Sequence, residues 1–156
     1  MLIVSLRSLR QARKDHRKTV SSAVDGVLIK DDQVLLIKRK NVPFAGQYAL
    51  PGGFIDPGEK PVEAVVRELE EETSLEVRVV RKIGVYDDPA RDPRGRVIST
   101  AFLCEPVKGV DKLKEGTDAL RAEFLPIEKV IGLNLAFDHE DIFNDALEIY
   151  RKTRNK

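Results

Sequence analysis

Three glutamates, Glu68, Glu71 and Glu72, fall at i, i+3 and i+4 in the run Arg67-Glu68-Leu69-Glu70-Glu71-Glu72. On an α-helix that spacing gathers them on one side, within about 6 Å along the axis. Like charges at this spacing cost roughly 0.2–0.5 kcal/mol per pair. A hard divalent cation reverses the sign of that interaction, and Mg2+ prefers carboxylate and carbonyl oxygens while keeping several waters. The plain alternative is a solvated Glu-rich helix face. Arg67 lies one turn before Glu71 and can reach it. Upstream, Pro51 pushes Leu50 into an extended conformation, and Gly52 and Gly53 allow a tight turn whose backbone approaches a ligand closely.

The elements that must position these groups can be read from period and punctuation. A helix is expected over 61–74, with Pro61 at its first position and Val62, Val65, Val66 and Leu69 as its apolar stripe. Strands are expected over 20–30 and 34–39, joined by an Asp31-Asp32 turn, and over 75–86, 97–104 and 121–125. The segments 41–49, 87–96 and 108–119 read as loops. Pro126 opens a short helix through Ile131, and Asp138 caps a last helix with Ile142, Phe143, Ala146, Leu147 and Tyr150 on one face. This order predicts an α/β fold, a mixed β-sheet between helices on both faces.

A chain of 156 residues, 42% apolar and 34% charged, has the composition of a soluble globular domain. No apolar run approaches the ~20 residues of a membrane span. One cysteine, Cys104, excludes an internal disulfide and a Cys-based zinc site, and reads as a small buried apolar residue on a strand. A cytoplasmic setting is expected. Residues 1–20 carry six Lys or Arg against one Asp. Residues 1–19 therefore read as a basic arm or lead-in, and 20–156 as the domain proper. The arm has no aromatic residue to stack on bases, which disfavours a nucleic-acid partner.

The pattern Gly53-x5-Glu59-x7-Arg67-Glu68-Leu69-x-Glu71-Glu72-x-x-Leu75 resembles the box of the Nudix hydrolases. Every charged position of that box is filled. One position departs: the family usually has Gly where this chain has Ser74, a residue that takes a left-handed turn only at roughly 1–2 kcal/mol. The resemblance implies an α/β/α sandwich. It implies Mg2+, with Mn2+ able to substitute, bound by Glu68, Glu71, Glu72 and the carbonyl of Gly52. It makes Arg67 and Glu59 the pair that fixes loop against helix. The general base is left to Glu115 on the flexible 108–119 segment, with Asp118 and Glu123 as second choices, or to Glu71 itself.

The resemblance extends beyond the box to the ADP-ribose pyrophosphatase branch. It rests on the run Tyr86 to Ser99 with Pro89, on Pro43-Phe44-x-Gly46-x-Tyr48-Ala49-Leu50, and on Ala136-Phe137-Asp138-His139. Arg91 and Arg94 can grip phosphate oxygens bidentately, and Arg39, which ends the second strand, is a further candidate substrate contact. Phe44, Tyr48 and Tyr86 are candidates to stack on adenine, though each serves equally as packing. His139 is expected to support the last helix rather than meet substrate. The expected reaction is hydrolysis of ADP-ribose to AMP and ribose 5-phosphate. Nucleoside triphosphates, dinucleoside polyphosphates and other nucleotide sugars are the competing substrates, and a non-catalytic nucleotide sensor is the competing class. A winged helix of the kind that some relatives carry needs more chain than follows Pro126 here. The resemblance also implies a homodimer.

Overall fold

The computed structural model describes residues 19–108 and 119–156. The basic arm, Glu115 and Asp118 lie outside the described residues. The elements run β1 (Ser21–Lys30), β2 (Gln33–Arg39), β3 (Tyr48–Ala49), β4 (Gly52–Phe54), α1 (Pro61–Thr73), β5 (Glu76–Tyr86), β6 (Val97–Lys108), β7 (Ala119–Pro126), α2 (Ile127–Val130) and α3 (His139–Arg154).

The sheet follows the order β3-β2-β1-β6-β5, with β4 also paired to β1 and β7 to β2. β1 and β6 run parallel from Ser21↔Val97 to Leu28↔Cys104, and the other pairings are antiparallel. The expected mixed sheet is therefore present. Asp31 and Asp32 both take positive φ, 50° and 58°, the conformation a two-residue hairpin turn demands.

Period-two alternation sends each strand's side chains to two cores. Val24 and Leu28 of β1, with Leu35 and Ile37 of β2, pack against Ala64, Val65 and Leu69 of α1. Val27 and Ile29, with Val34 and Leu36, pack against Ile142, Phe143, Ala146 and Leu147 of α3. Gly26 faces α1, and a Cβ there would stand 2.6 Å from a Leu69 methyl, so the bare position brings the helix close. Val62, expected in the buried stripe, is 48% exposed, and the smaller Ala64 is buried in its place. Among the described residues, no helix is long and apolar enough to cross a membrane.

Ser74 ends α1 at φ 61°, ψ 16°, its N–H donating to the Glu70 carbonyl at 2.8 Å. It takes the left-handed exit that glycine usually occupies. Ser74→Gly should therefore gain about 1 kcal/mol, read as a rise of roughly 2–4 °C in the unfolding midpoint for a chain of this size. An unchanged or lowered midpoint would show that the exit carries no strain.

Candidate active site

The site is built where β4 crosses the N-terminal half of β1 under α1. Gly26 N–H donates to the Pro51 carbonyl at 2.9 Å, and Ile55 N–H donates to the Ser22 carbonyl at 3.0 Å. Gly52 pairs with Asp25 between those rungs, the non-hydrogen-bonded position of an antiparallel ladder. Its N–H and C=O therefore turn away from β1. The N–H donates to Glu72 Oε2 at 3.2 Å, which places the carbonyl on the same edge as that carboxylate. A Cβ at Gly52 would stand 2.2 Å from the Val24 carbonyl oxygen, and one at Gly53 2.5 Å from the Glu68 carboxyl carbon. Only glycine admits both approaches.

α1 presents its acids unequally. Glu68 and Glu72, one turn apart, face the Gly52-Gly53 edge, with the Glu68 side chain 14% exposed. Glu71 stands about 100° further round and its side chain is 59% exposed. One guanidinium ties the set together. Arg67 donates through Nε to Glu59 at 2.7 Å and through Nη2 to Glu59 at 2.9 Å and the Phe54 carbonyl at 3.1 Å. Its Nη1 donates to Glu68 at 2.9 Å and to Glu71 at 3.2 Å. The expected Glu59–Arg67 clamp of loop on helix is thus present as a contact, and Arg67 is also the bridge between two of the three box acids.

These contacts set the charges. Arg67 hydrogen bonds, with the Asp56 N–H, draw the Glu59 carboxyl down to about 2. Burial pushes Glu72 up to about 8, assisted by the charges of Glu68 and Asp25 and opposed by the Gly52 N–H and Arg39. Burial also raises Glu68, against the pull of Arg67. Among the described residues, no three His, Cys, Asp or Glu side chains close around one point as a metal cage. The arrangement is an open one: two inward carboxylates that resist ionising together, a backbone carbonyl on their edge, and a third acid on the rim. Oxygen donors alone, few and unenclosed, suit a hard cation that keeps its waters, and a divalent charge would offset the burial and the neighbouring charges that raise Glu72.

Opposite the acids lies a basic, aromatic wall. Arg39 donates to the Pro43 carbonyl at 2.8 Å, and its guanidinium sits 4.9 Å from the Phe137 ring centre. Arg94 lies 5.6 Å from the same ring and 5.3 Å from that of Phe54, with Asp92 holding it from below. Burial and the neighbouring Arg94 charge loosen the Arg39 proton, against Asp92 and Glu72. Arg39, Arg94, Gly53 and Phe137 line a small recess of about 60 Å³. A larger cleft of about 570 Å³ opens beyond Phe137, walled by Phe44, Tyr86 and Asp138. Phe44 meets Phe137 edge-on at 4.8 Å.

Three expected residues, Arg91, Tyr48 and Glu123, are placed otherwise. Arg91 lines both clefts, but it is 8% exposed and its guanidinium is taken up by carboxylates. Its Nε and Nη2 bond the two Asp138 oxygens at 2.8 and 2.7 Å, and Asp25 lies 3.5 Å away. Tyr48 packs on the α3 side of the sheet with its hydroxyl on Glu123. Glu123 pairs across from Leu36, also on that side, so neither meets the α1 acids. Tyr86 lines the larger cleft, its hydroxyl donating to Asp145 at 2.6 Å.

Sequence reasoning missed Asp25, Ser99 and the full part played by His139. All three are buried. Burial alone would raise the Asp25 carboxyl, but His139, Ser99 and Arg91 outweigh it and hold it below its ordinary 3.8. A lone acid inside the apolar run Ala23 to Ile29 was the available signal. Asp138, expected to cap α3, makes no side-chain cap bond because Arg91 holds its carboxylate.

The family described as NUDIX domain matches residues 20–146. The chain is 49% identical over 145 residues to an ADP-ribose pyrophosphatase of Methanocaldococcus jannaschii, covering 93% of this chain and 82% of that protein. It superimposes with a TM-score of 0.75 on a bifunctional NMN adenylyltransferase/ADP ribose pyrophosphatase of Francisella tularensis complexed with AMP and a Mn ion, at 29% identity over 90% of this chain and 44% of that one. The NUDIX domain of Shewanella oneidensis NrtR, complexed with ADP ribose, aligns with a TM-score of 0.73 at 26% identity, covering 95% and 99% of the two chains.

Proposed function

Because this chain belongs to the Nudix hydrolase family, we propose that it hydrolyses ADP-ribose to AMP and ribose 5-phosphate, with Mg2+ bound at Glu68, Glu71, Glu72 and the Gly52 carbonyl and Mn2+ able to replace it. The observation that carries this reading is the meeting of two groups at Gly53: the inward carboxylates of α1 lie against Gly52 and Gly53, and Arg39 and Arg94 line a recess with Gly53 and Phe137. A diphosphate needs both. Its charge resists a nucleophile, so positioning and electrostatics supply most of the catalysis.

A bound divalent ion neutralises phosphate oxygens and lowers the pKa of a coordinated water. The chain's own residues do the rest. Gly52 N–H orients Glu72, Arg67 orients Glu68 and Glu71, and Glu59 fixes Arg67. Arg39 and Arg94 take the diphosphate from the other side as charged donors. The aromatic cleft of Phe44 and Tyr86 takes the nucleoside. Water attacks one phosphorus, the bridging P–O bond breaks, and a base accepts the water's proton. The candidates for that base are Glu115 and the rim acid Glu71. The reading includes a homodimer, which light scattering tests, and a cytoplasmic setting.

One observation keeps a second reading in view: the similarity to an NrtR domain complexed with ADP ribose. A nucleotide panel with Mg2+, followed by product identification, separates the readings. AMP released from ADP-ribose, with triphosphates untouched, supports the proposal. Turnover of triphosphates alone rejects the substrate. Binding of ADP-ribose with no turnover of any compound selects the sensor.

The Glu72 carboxyl also sets a pH dependence. Its folded value, about 8, lies above its ordinary 4.5. Folding favours the protonated form, so its contribution to stability is full below that ordinary value and is lost as pH rises through about 8. Metal-free protein should lose roughly 1–4 kcal/mol between about pH 5 and pH 8.5. Mg2+ needs the ionised carboxylate, so the midpoint gained on adding Mg2+ should be larger at the higher pH. Thermal unfolding with and without Mg2+ at both pH values checks this, and an equal gain at the two would contradict it.

A further inference from the structure

His139 opens α3 on the far side of the sheet from the α1 acids, yet its ring reaches back to the chain that carries Gly52. The Leu50 N–H donates to Nδ1 at 3.0 Å, inside the core. An accepting Nδ1 leaves the ring proton on Nε2, which faces Asp25 Oδ1 at 3.2 Å. The other Asp25 oxygen accepts the Ser99 hydroxyl at 2.6 Å and lies 3.5 Å from Arg91, whose fork holds Asp138, the residue next to His139. A closed circuit of Asp25, His139, Asp138 and Arg91 results, with β1, α3 and the 87–96 loop as its members. Asp25 is also the direct cross-strand partner of Gly52. The same stretch is tied a second time, by the Ala136 N–H donating to the Tyr48 carbonyl at 2.9 Å.

We propose that His139 is a positioning residue for the hydrolysis: through the Leu50 N–H and Asp25 it fixes the peptide planes of 50–52, and so the direction in which Gly52 presents its N–H to Glu72 and its carbonyl to the cation. The Leu50 N–H belongs to a buried residue next to the bend at Pro51, and the acceptor that satisfies it is the His139 ring. Arg91 acts one step further back, locking Asp138 and Asp25 around the ring rather than meeting phosphate. The proposal rests on the metal assignment above.

Three variants test it. His139→Leu removes both bonds. His139→Gln can accept from Leu50 through its carbonyl and donate to Asp25 through its amide. His139→Asn is polar but too short to span the two. The readouts are Mn2+ affinity without substrate, from the electron paramagnetic resonance of free Mn2+, and kcat and KM separately with ADP-ribose. His139→Leu and His139→Asn should weaken Mn2+ binding and lower kcat by about 10- to 100-fold with KM little changed, and His139→Gln should recover most of both. Should His139→Leu fail to fold, His139→Asn against His139→Gln decides. Lowered stability with Mn2+ affinity and kcat intact in the folded variants would make His139 an ordinary core histidine and overturn the proposal. Glu72→Gln run in parallel separates the two failures. If it too binds Mn2+ as the parent does, the metal assignment falls and the proposal with it. If it loses Mn2+ while His139→Asn keeps it, the positioning role alone falls.

Discussion

Glu72→Gln is expected to reduce kcat by about 10³-fold while leaving the metal-free protein at least as stable as the parent at pH 8.5. The two effects come from one cause. Glu72 accepts the Gly52 N–H, lies beside Glu68, and is pushed up to about 8 by burial. Glutamine keeps the shape and the acceptor oxygen, so the Gly52 contact survives. It removes the buried charge, so the folded state is relieved of the burial cost and repulsion that, at this pH, a cation otherwise offsets. A residue that merely held the fold would lose stability and activity together. Here stability should hold or rise as activity falls, and the added stability that Mg2+ gives the parent should shrink. Urea midpoints with and without Mg2+, set beside kcat, make the comparison. A Glu72→Gln enzyme with near-parental kcat would remove the carboxylate from the site.

Arg67→Ala is expected to cost about 10²-fold or more in kcat/KM with only about 1 kcal/mol of stability lost. The small stability effect follows from exposure: the Arg67 side chain is 26% accessible and the acids around it are partly wet. The large activity effect follows from connectivity. One guanidinium spans Glu59, Glu68, Glu71 and the Phe54 carbonyl. Without it Glu68 and Glu71 are free to move apart and Glu59 no longer pins the loop. Arg67→Lys should recover little, because an ammonium cannot reproduce the planar fork. Full recovery by lysine would show that charge alone, not geometry, is what Arg67 provides.

Much of this site is local in sequence, and that part is legible. Pro51, Gly52, Gly53, Glu59, Arg67 and the box glutamates fall within one stretch, and helical period alone places Glu68 and Glu72 together. Which acid faces inward is not legible, because it depends on the roll of α1 on the sheet. That roll follows from Leu69 seating against the bare Gly26. Ser74 was readable as a departure, yet its exit angle came from the backbone only. The Asp25–His139–Arg91–Asp138 circuit joins residues far apart along the chain through the parallel pairing of β1 with β6 and the seat of α3. Local pattern carries no information on such pairings. Arg91 and Arg94 look alike in sequence, three residues apart in one loop. Only the fold separates the one locked on Asp138 from the one that shares the face of Phe137 with Arg39.

In the proposed reaction, acids of one helix gather a divalent cation that makes a pyrophosphate bond breakable. The most direct measurement is phosphorus NMR of ADP-ribose with the protein, first in Mg2+ and then after excess EDTA. The diphosphate resonances should give way to the two monoester signals of AMP and ribose 5-phosphate, and EDTA should halt the conversion at once. Conversion that continues undiminished in EDTA, or diphosphate signals that persist in Mg2+, would contradict that mechanism.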